Sequence, residues 1–176
     1  MCGHISLYDA SVPVFVRGLN TLAAILEKAR AFADEKGIAH SEFLEARLIE
    51  DMAPLTGQIQ FASDAAKMAV IRIANLAPVP MEDKEQSFDE LQARIAATIA
   101  VLEAAPADSM DGREDAQIEL KTPRGSLHFK GRDFLLGFAL PNFFFHVTTA
   151  YGVLRMKGVP LGKLDYLGPL PLTQTA

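Results

Sequence analysis

Apolar residues recur at alternating steps of three and four along the first long segment of the chain. The positions are Val12, Phe15, Leu19, Leu22, Leu26, Ala29 and Ala33. This spacing is typical of a helix that packs one face against neighbouring elements. Ser11 is a candidate N-cap and Gly37 a candidate stop, so the pattern predicts a helix over Pro13–Lys36.

The same spacing predicts a second long helix over Pro54–Leu76, preceded by a short helix within residues 40–51. Proline fits the first turn of a helix, and the Pro78 and Pro80 pair marks its end. The apolar stripe consists of Leu55, Ile59, Ala62, Ala66, Ala69 and Ile73. A polar stripe runs beside it, formed by Gln60, Asp64 and Lys67.

The third helix begins with a capping-box pair, Ser87 and Glu90, and ends before Pro106. After a loop over 107–115, the pattern changes to an alternation of apolar and polar residues. Two short alternating runs flank a turn at 122–125, which predicts a β-hairpin. A lone hairpin is marginally stable, so we expect it to lie on the helices.

The last helix is predicted over Asp133–Gly158, with a kink at Pro141. The run Phe143–Phe145 is apolar on all sides, so we expect this helix to be the most enclosed element. The chain from Val159 onward is rich in proline and glycine, which favours an irregular strap. Together the segments predict an all-α bundle with a small hairpin before the last helix.

Composition narrows the classes of function. The chain has 176 residues, which fits a single domain over 1–176. Its net charge is −5, without a run of Lys or Arg, so neither nucleic acid nor an anionic membrane surface is an expected partner. One cysteine excludes an internal disulfide framework, which favours the cytoplasm. No signal peptide is expected, and no apolar run of about 18 residues suggests a membrane span.

His146 is the strongest candidate for chemistry, because a titratable ring within the Phe-rich last helix must find a partner or lose its charge. Thr149 lies one turn away and could hydrogen-bond to the ring. On the second long helix, Asp64 either pairs with Lys67 at the surface, which we favour, or turns inward toward His146. In the inward case the two could bind a metal or transfer a proton, with Tyr151 as a further hydroxyl.

Cys2 gives a weaker signal. A cysteine after the initiator Met is the start pattern of N-terminal-nucleophile amidotransferases. Those enzymes need a layered sheet architecture, which a mainly helical chain does not supply. We therefore interpret Cys2 as an ordinary terminal residue.

Three sequence stretches resemble one bacterial family: SLYDASVPVFVRGL, LEARLIEDMAPLTGQIQFASDAAK and ALPNFFFHVTTAYGVLRMKGVPLGKLDYLG. The family is an uncharacterised, domain-of-unknown-function branch of the DinB-like superfamily, and the resemblance covers nearly the whole chain. It implies an up-down-down-up four-helix bundle, often dimeric, with a site in the cleft of the bundle. The superfamily includes metal-dependent thiol-cofactor transferases and isomerases. Their metal is held by one histidine of the second long helix and two histidines at i and i+4 of the last.

The chain departs from that triad. His146 can stand for one ligand, but Ala150 occupies the i+4 position and Pro54–Leu76 contains no histidine. Our leading hypothesis is therefore a cytoplasmic small-molecule-binding protein, in which Gln60, Asp64, His146, Thr149 and Tyr151 line the pocket. We expect no cofactor, and a divalent metal ion, zinc or nickel, is the less favoured alternative.

Two alternatives stay open, and with them the question of whether the protein is an enzyme. The first is a metal-dependent hydrolase or thiol-cofactor transferase that uses His146 with Asp64. The second is a structural homodimer without a ligand, in which Phe143–Phe145 pack at the subunit contact. A homodimer is expected from the family resemblance in either case.

Overall fold

The fold of residues 5–170 is described by a computed structural model. The helices and strands follow in chain order: α1 (Val12–Lys36), α2 (Ser41–Leu44), α3 (Leu55–Ala74), α4 (Phe88–Glu103), a 3-10 turn (Ala107–Met110), β1 (Gln117–Thr122), β2 (Gly125–Lys130), α5 (Gly131–Phe134), a π-helical turn (Leu135–Ala139), α6 (Leu140–Met156) and α7 (Lys163–Leu167). The long helices α1, α3, α4 and α6 form the bundle, which confirms the predicted all-α fold with a hairpin.

Side-chain pairs across the core show how the long helices run. Asp64 in the first half of α3 meets Arg94 in the first half of α4, and the carbonyl of Ile73 at the end of α3 accepts a hydrogen bond from Arg113, beyond the end of α4. These two helices are therefore parallel, and a long connection must return the chain along the bundle. In contrast, Gln58 near the start of α3 meets His146 of α6. Arg72 near the end of α3 shares a cavity with Phe134 and Phe138, which precede α6, so that pair is antiparallel. The start of α1 meets the end of the α4 region, where the Ser11 hydroxyl donates to the sulfur of Met110.

The parallel pair of α1 and α6 completes this arrangement. Phe15 packs edge-on against Phe143, with ring centroids 5.0 Å apart. Further along both helices, Phe32 lies beside Gly158. The order is therefore up, down, down, up for α1, α3, α4 and α6, as the family resemblance implied.

Two of the helix ends predicted from the sequence match the structure, and one predicted cap does not. The Ser87 hydroxyl accepts the backbone N–H of Glu90 at 3.2 Å, which confirms the predicted cap of α4. Gly37 ends α1 with φ 64°, a conformation that glycine adopts without steric cost. Ser11 does not cap α1, because its hydroxyl donates to the carbonyl of Leu7 at 2.6 Å instead.

The start of the last helical run has a π-helical turn at Leu135–Ala139 immediately before Pro141. Proline has no N–H to donate, and in an α-helix its ring clashes with the carbonyl four residues earlier, here that of Gly137. π-helical turns are common where the regular backbone hydrogen bonds of an α-helix are interrupted. The predicted irregularity at Pro141 is therefore a change of helix type just upstream of it.

Two expectations for the C-terminal region are wrong. The segment after Val159 is not irregular throughout, because α7 forms where the carboxylate of Asp165 accepts the N–H of Gly162 at 2.7 Å. The last helical run is not the most enclosed element either, since Phe145 is 55% exposed.

By length and composition alone, Gly131–Met156 could cross a membrane, and 39% of its most apolar window is buried in the bundle.

The hairpin lies over the start of the last helical run. Ile118 pairs with Phe129, and Leu120 pairs with Leu127. Ile118 is buried, and the Phe129 ring lies 5.6 Å from that of Phe134. The hairpin is thus held on the helices by one apolar face, as predicted.

Gly18 marks the closest approach of α1 to α6. A Cβ atom there would lie 2.7 Å from Cζ of Phe143, whose ring is fully buried. We expect Gly18→Ala to lower the free energy of unfolding, because overpacking a filled core costs about 1–3 kcal/mol. That cost exceeds the gain of about 1 kcal/mol from helix propensity. Urea denaturation measures the difference.

Gly152→Ala is the matched control within α6. Its new methyl group would have Leu48 as nearest neighbour at 3.8 Å, an ordinary contact. We expect this variant to be neutral or more stable. Equal effects of the two substitutions would show that α1 and α6 are not packed as closely as described.

Candidate functional site

Helix α3 presents side chains to two different neighbours. The flank that contains Gln60, Asp64 and Lys67 faces α4 and the segment before it. A second, adjacent flank consists of Gln58, Phe61, Ala65, Met68 and Arg72, again at steps of three and four, and faces α6. The two flanks differ because successive residues of a helix are rotated by about 100°.

The imidazole of His146 is held in one orientation by α3. The Nδ1 atom of His146 lies 2.8 Å from Oε1 of Gln58. Nε2 of Gln58 donates to the carbonyl of Ala53 at 3.0 Å, so its oxygen is the group that faces the ring. Nδ1 must therefore carry the hydrogen, which leaves Nε2 of a neutral ring as an acceptor.

Burial lowers the pKa of His146, because the charged imidazolium loses solvation in this position. The ring packs against two aromatic side chains, with centroids 5.2 Å from Phe61 and 5.2 Å from Phe145. His146 is consequently neutral near neutral pH and able to accept a hydrogen bond.

A cleft of about 340 Å³ lies beside this histidine, between α3 and α6. Its walls are mainly apolar, with polar or charged groups at His146, Asn142, Asp64 and Arg72. The apolar lining consists of Phe61, Ala65, Met68, Leu120, Phe134, Phe138 and Ala139. Leu120 belongs to the hairpin, so β1 completes one end of the cleft.

Gln60 and Asp64 belong chiefly to a polar cluster on the α4 side. Nε2 of Gln60 donates to the carboxylate of Glu85 at 2.8 Å. The carboxylate of Asp64 lies 3.0 Å from Nζ of Lys67 and 3.2 Å from Nη2 of Arg94. The favoured Asp64–Lys67 pair is present, although Lys67 is only 3% exposed and Asp64 also borders the cleft.

Arg94 is the centre of this cluster. Its side chain is 2% exposed and contacts the carboxylates of Asp64, Asp83 and Glu85 at 2.8–3.2 Å. It also donates to the carbonyl of Glu82 at 3.1 Å. Burial disfavours the charge, and the carboxylates, Glu85 first, more than offset that effect and raise the pKa of the guanidinium.

Thr149 and Tyr151 do not line the His146 cleft. The Thr149 hydroxyl donates to the carbonyl of Phe145 at 2.7 Å, within its own helix. Tyr151 packs edge-on against Tyr166 of α7, with centroids 5.8 Å apart. Tyr151 lies five positions after His146, which places its side chain about 140° away around the helix axis. Cys2 lies outside the described residues.

The donor set does not fit the three-histidine metal site of the superfamily. Among residues 5–170, no group of three or more His, Cys, Asp or Glu side chains is placed to hold a metal ion. The group of α3 that bonds to the imidazole is the amide of Gln58, and one oxygen of Asp64 is engaged by two cations. One imidazole remains, which is fewer ligands than zinc requires.

Sequence reasoning missed Gln58, Arg72 and Asn142. Asn142 lies one turn before His146, on the same face of α6, and lines the same cleft. The signal available in the sequence was the stripe from Gln58 to Arg72, which mixes polar and apolar residues. Its spacing is as regular as that of the stripe facing α4.

A larger cavity of about 450 Å³ lies between α1, α6 and α7. Its charged groups are already bonded within the protein: Arg17 donates to the carbonyl of Leu167 at 2.8 Å, and Asp9 accepts from the Ser6 hydroxyl at 2.8 Å. We therefore regard the His146 cleft as the candidate site, since its polar groups keep bonding capacity.

Comparisons with known proteins place the chain in a family. The family described as "Domain of unknown function (DUF1993)" matches residues 7–167. The chain belongs to the DUF1993 family. The crystal structure of a DinB family member from Shewanella denitrificans is 38% identical to this DUF1993 chain, covers 96% of both chains and superposes with a TM-score of 0.88. Among curated proteins no match was found.

The Arg94 cluster yields a prediction about stability. We expect Arg94→Met to lower the free energy of unfolding by roughly 3 kcal/mol or more, because it leaves the shielded carboxylate of Glu85 without its cation. The exposed pair of Arg132 with Asp133 provides the control, since Arg132→Met should change stability by less than about 1 kcal/mol. Urea denaturation of both variants measures this, and equal small effects would contradict the prediction.

The lowered pKa of His146 predicts a dependence of stability on pH. The unfolded ring binds a proton below about pH 6.5, while the folded ring resists it to lower pH. The contribution of the neutral ring to the free energy of unfolding is therefore complete above about pH 6.5. It is lost as the pH falls through the pKa of the folded protein. We expect unfolding free energy to fall more steeply on acidification in the wild type than in His146→Gln. Parallel curves for the two proteins would contradict this.

Proposed function

We propose that this DUF1993 chain binds a small organic molecule in the His146 cleft, without the metal triad of the wider superfamily. The proposal rests on one observation: the cleft combines apolar walls with polar groups whose bonding capacity the protein does not use. Among residues 5–170, neither Nε2 of His146 nor the amide of Asn142 has a hydrogen-bond partner. Convergent polar groups in a mainly apolar pocket are typical of ligand sites.

His146 is suited to accept a hydrogen bond from the ligand. Its tautomer is fixed by Gln58, so the free Nε2 has a defined position and needs no reorientation on binding. Asn142 can donate or accept from the same face of α6. The rings of Phe61, Phe134 and Phe138 supply apolar contact area for a flat body.

The alternative, a metal-dependent hydrolase or transferase that uses His146 with Asp64, has less support. The Asp64 carboxylate contacts Lys67 and Arg94, and metal ligation would compete with both ion pairs. Elemental analysis of untagged protein, exposed to zinc, nickel and manganese, tests this alternative directly. Near-stoichiometric metal that disappears in His146→Ala would replace the proposal with the enzyme hypothesis.

The binding function can be tested by methyl NMR with labelled methionine. Met68 is the methionine that lines the cleft, while Met110 lies buried near the start of α1. We expect members of a fragment library to shift the Met68 signal without moving that of Met110. Met68→Leu assigns the signal.

Ala65→Phe is the blocking variant, because Ala65 lines the cleft and a phenyl group there would fill it. Ala96→Phe adds the same group to an exposed position of α4 and serves as control. Binding should be lost in Ala65→Phe and kept in Ala96→Phe. A library without a single compound that shifts Met68, or equal binding by both variants, would contradict the proposal.

The expected homodimer and the cytoplasmic location stay predictions. Light scattering on the purified protein measures the first. The binding proposal does not depend on either of them.

A further inference from the structure

Arg72 differs from the other arginines that are at least half-buried in the described part of the chain. Arg30, Arg94 and Arg113 each donate to a carboxylate or a backbone carbonyl. Arg72 forms no ion pair or hydrogen bond with residues 5–170, and burial alone lowers its pKa. A partly desolvated guanidinium with five unused donors favours an anionic partner.

Arg72 lines the end of the His146 cleft and borders a neighbouring cavity. It is the last member of the stripe on α3 that faces α6, and it lies in the final turn of the helix. The helix dipole favours a cation there but uses none of its hydrogen-bond donors. The guanidinium therefore keeps its full capacity for a planar, two-oxygen acceptor.

The nearest acidic residue of the cleft does not neutralise Arg72. Asp64 lies eight residues earlier on α3, about 12 Å along the helix axis. Its carboxylate instead contacts Lys67 and Arg94. Glu119 borders the neighbouring cavity, where its carboxylate accepts a hydrogen bond from Ser126. One end of the cleft thus has a guanidinium without an ion pair among residues 5–170, and the neutral imidazole lies toward the other end.

Aromatic side chains surround the Arg72 end. The rings of Phe134 and Phe138 stack with centroids 5.7 Å apart, and Phe129 of the hairpin packs against both. Leu120 closes this end from β1. A ligand bound to Arg72 would consequently place its body along apolar walls that lead toward Asn142 and His146.

We infer that the ligand of this cleft is a carboxylate with an apolar or aromatic body, and that Arg72 is the residue that binds its carboxylate. This inference rests on the proposed function, and it adds the chemical class of the ligand. A carboxylate matches the guanidinium in charge and in geometry, while the body fills the space between the phenylalanine rings and His146.

The test compares two ligands that differ in charge alone, indoleacetate and its neutral amide, indoleacetamide. The chain contains no tryptophan, so indole fluorescence reports the ligand without protein background. Met68 lines both this cleft and a neighbouring cavity, whereas Ala65 lines the cleft and not that cavity. A Met68 methyl shift that is lost in Ala65→Phe therefore shows that binding takes place in the cleft. We expect the wild type to bind the acid about tenfold to a hundredfold more tightly than the amide, as a charge-assisted hydrogen bond provides.

Arg72→Gln should remove this preference for the acid, and Arg72→Lys should keep part of it. Arg132→Gln removes an equal charge from an exposed position outside the cleft and should bind as the wild type does. Circular dichroism confirms that each variant is folded. Because Arg72 has no ion pair with the described residues, its replacement should leave stability nearly unchanged.

The outcomes separate the inference from the proposed function. If acid and amide shift Met68 with equal affinity, or if Arg72→Gln weakens both alike, the carboxylate is not recognised and the inference is overturned while binding stands. If neither indole compound binds but other fragments shift Met68, the inference is again overturned alone. If nothing shifts Met68, both fail.

Discussion

The buried guanidinium of Arg94 holds in place the irregular segment of the chain between α3 and α4. Because α3 and α4 are parallel, the chain must return along about 30 Å of helix between them. Arg94 joins this returning segment to both helices through Glu82, Asp83 and Glu85 on one side and Asp64 on the other. A buried charge of this kind is costly to leave unpaired, so the positions of the segment and of both helices depend on one another.

The contacts of Arg94 also determine which flank of α3 faces α4 and which flank faces α6. Gln60, Asp64 and Lys67 are engaged in the polar cluster on the α4 side, so the neighbouring flank of α3 is left to form the cleft with α6. Gln58 orients His146, and Arg72 lies at the far end beside the aromatic cluster. The site is therefore built from one helix face that the α4 contact leaves free, with the hairpin closing one end.

The chain keeps the architecture of the DinB-like bundle but places different donors in its cleft. Gln58 on α3 accepts a hydrogen bond from His146, and an amide is a poor substitute for an imidazole as a zinc ligand. Its hydrogen bond fixes the orientation of the imidazole. The proposed binding of an organic molecule would use this fixed ring on a fold that the DUF1993 chain shares with a DinB family member.

The sequence by itself determined the long helices, the cap at Ser87 and the hairpin, because helix and strand periods and capping chemistry act between residues near in the chain. It also identified His146. Only the tertiary structure decided that Asp64 pairs with Arg94, that Tyr151 lies away from the cleft and that Arg72 lines it. These facts depend on the rotation of each helix about its axis and on which helix lies opposite, where one residue step turns a side chain by about 100°.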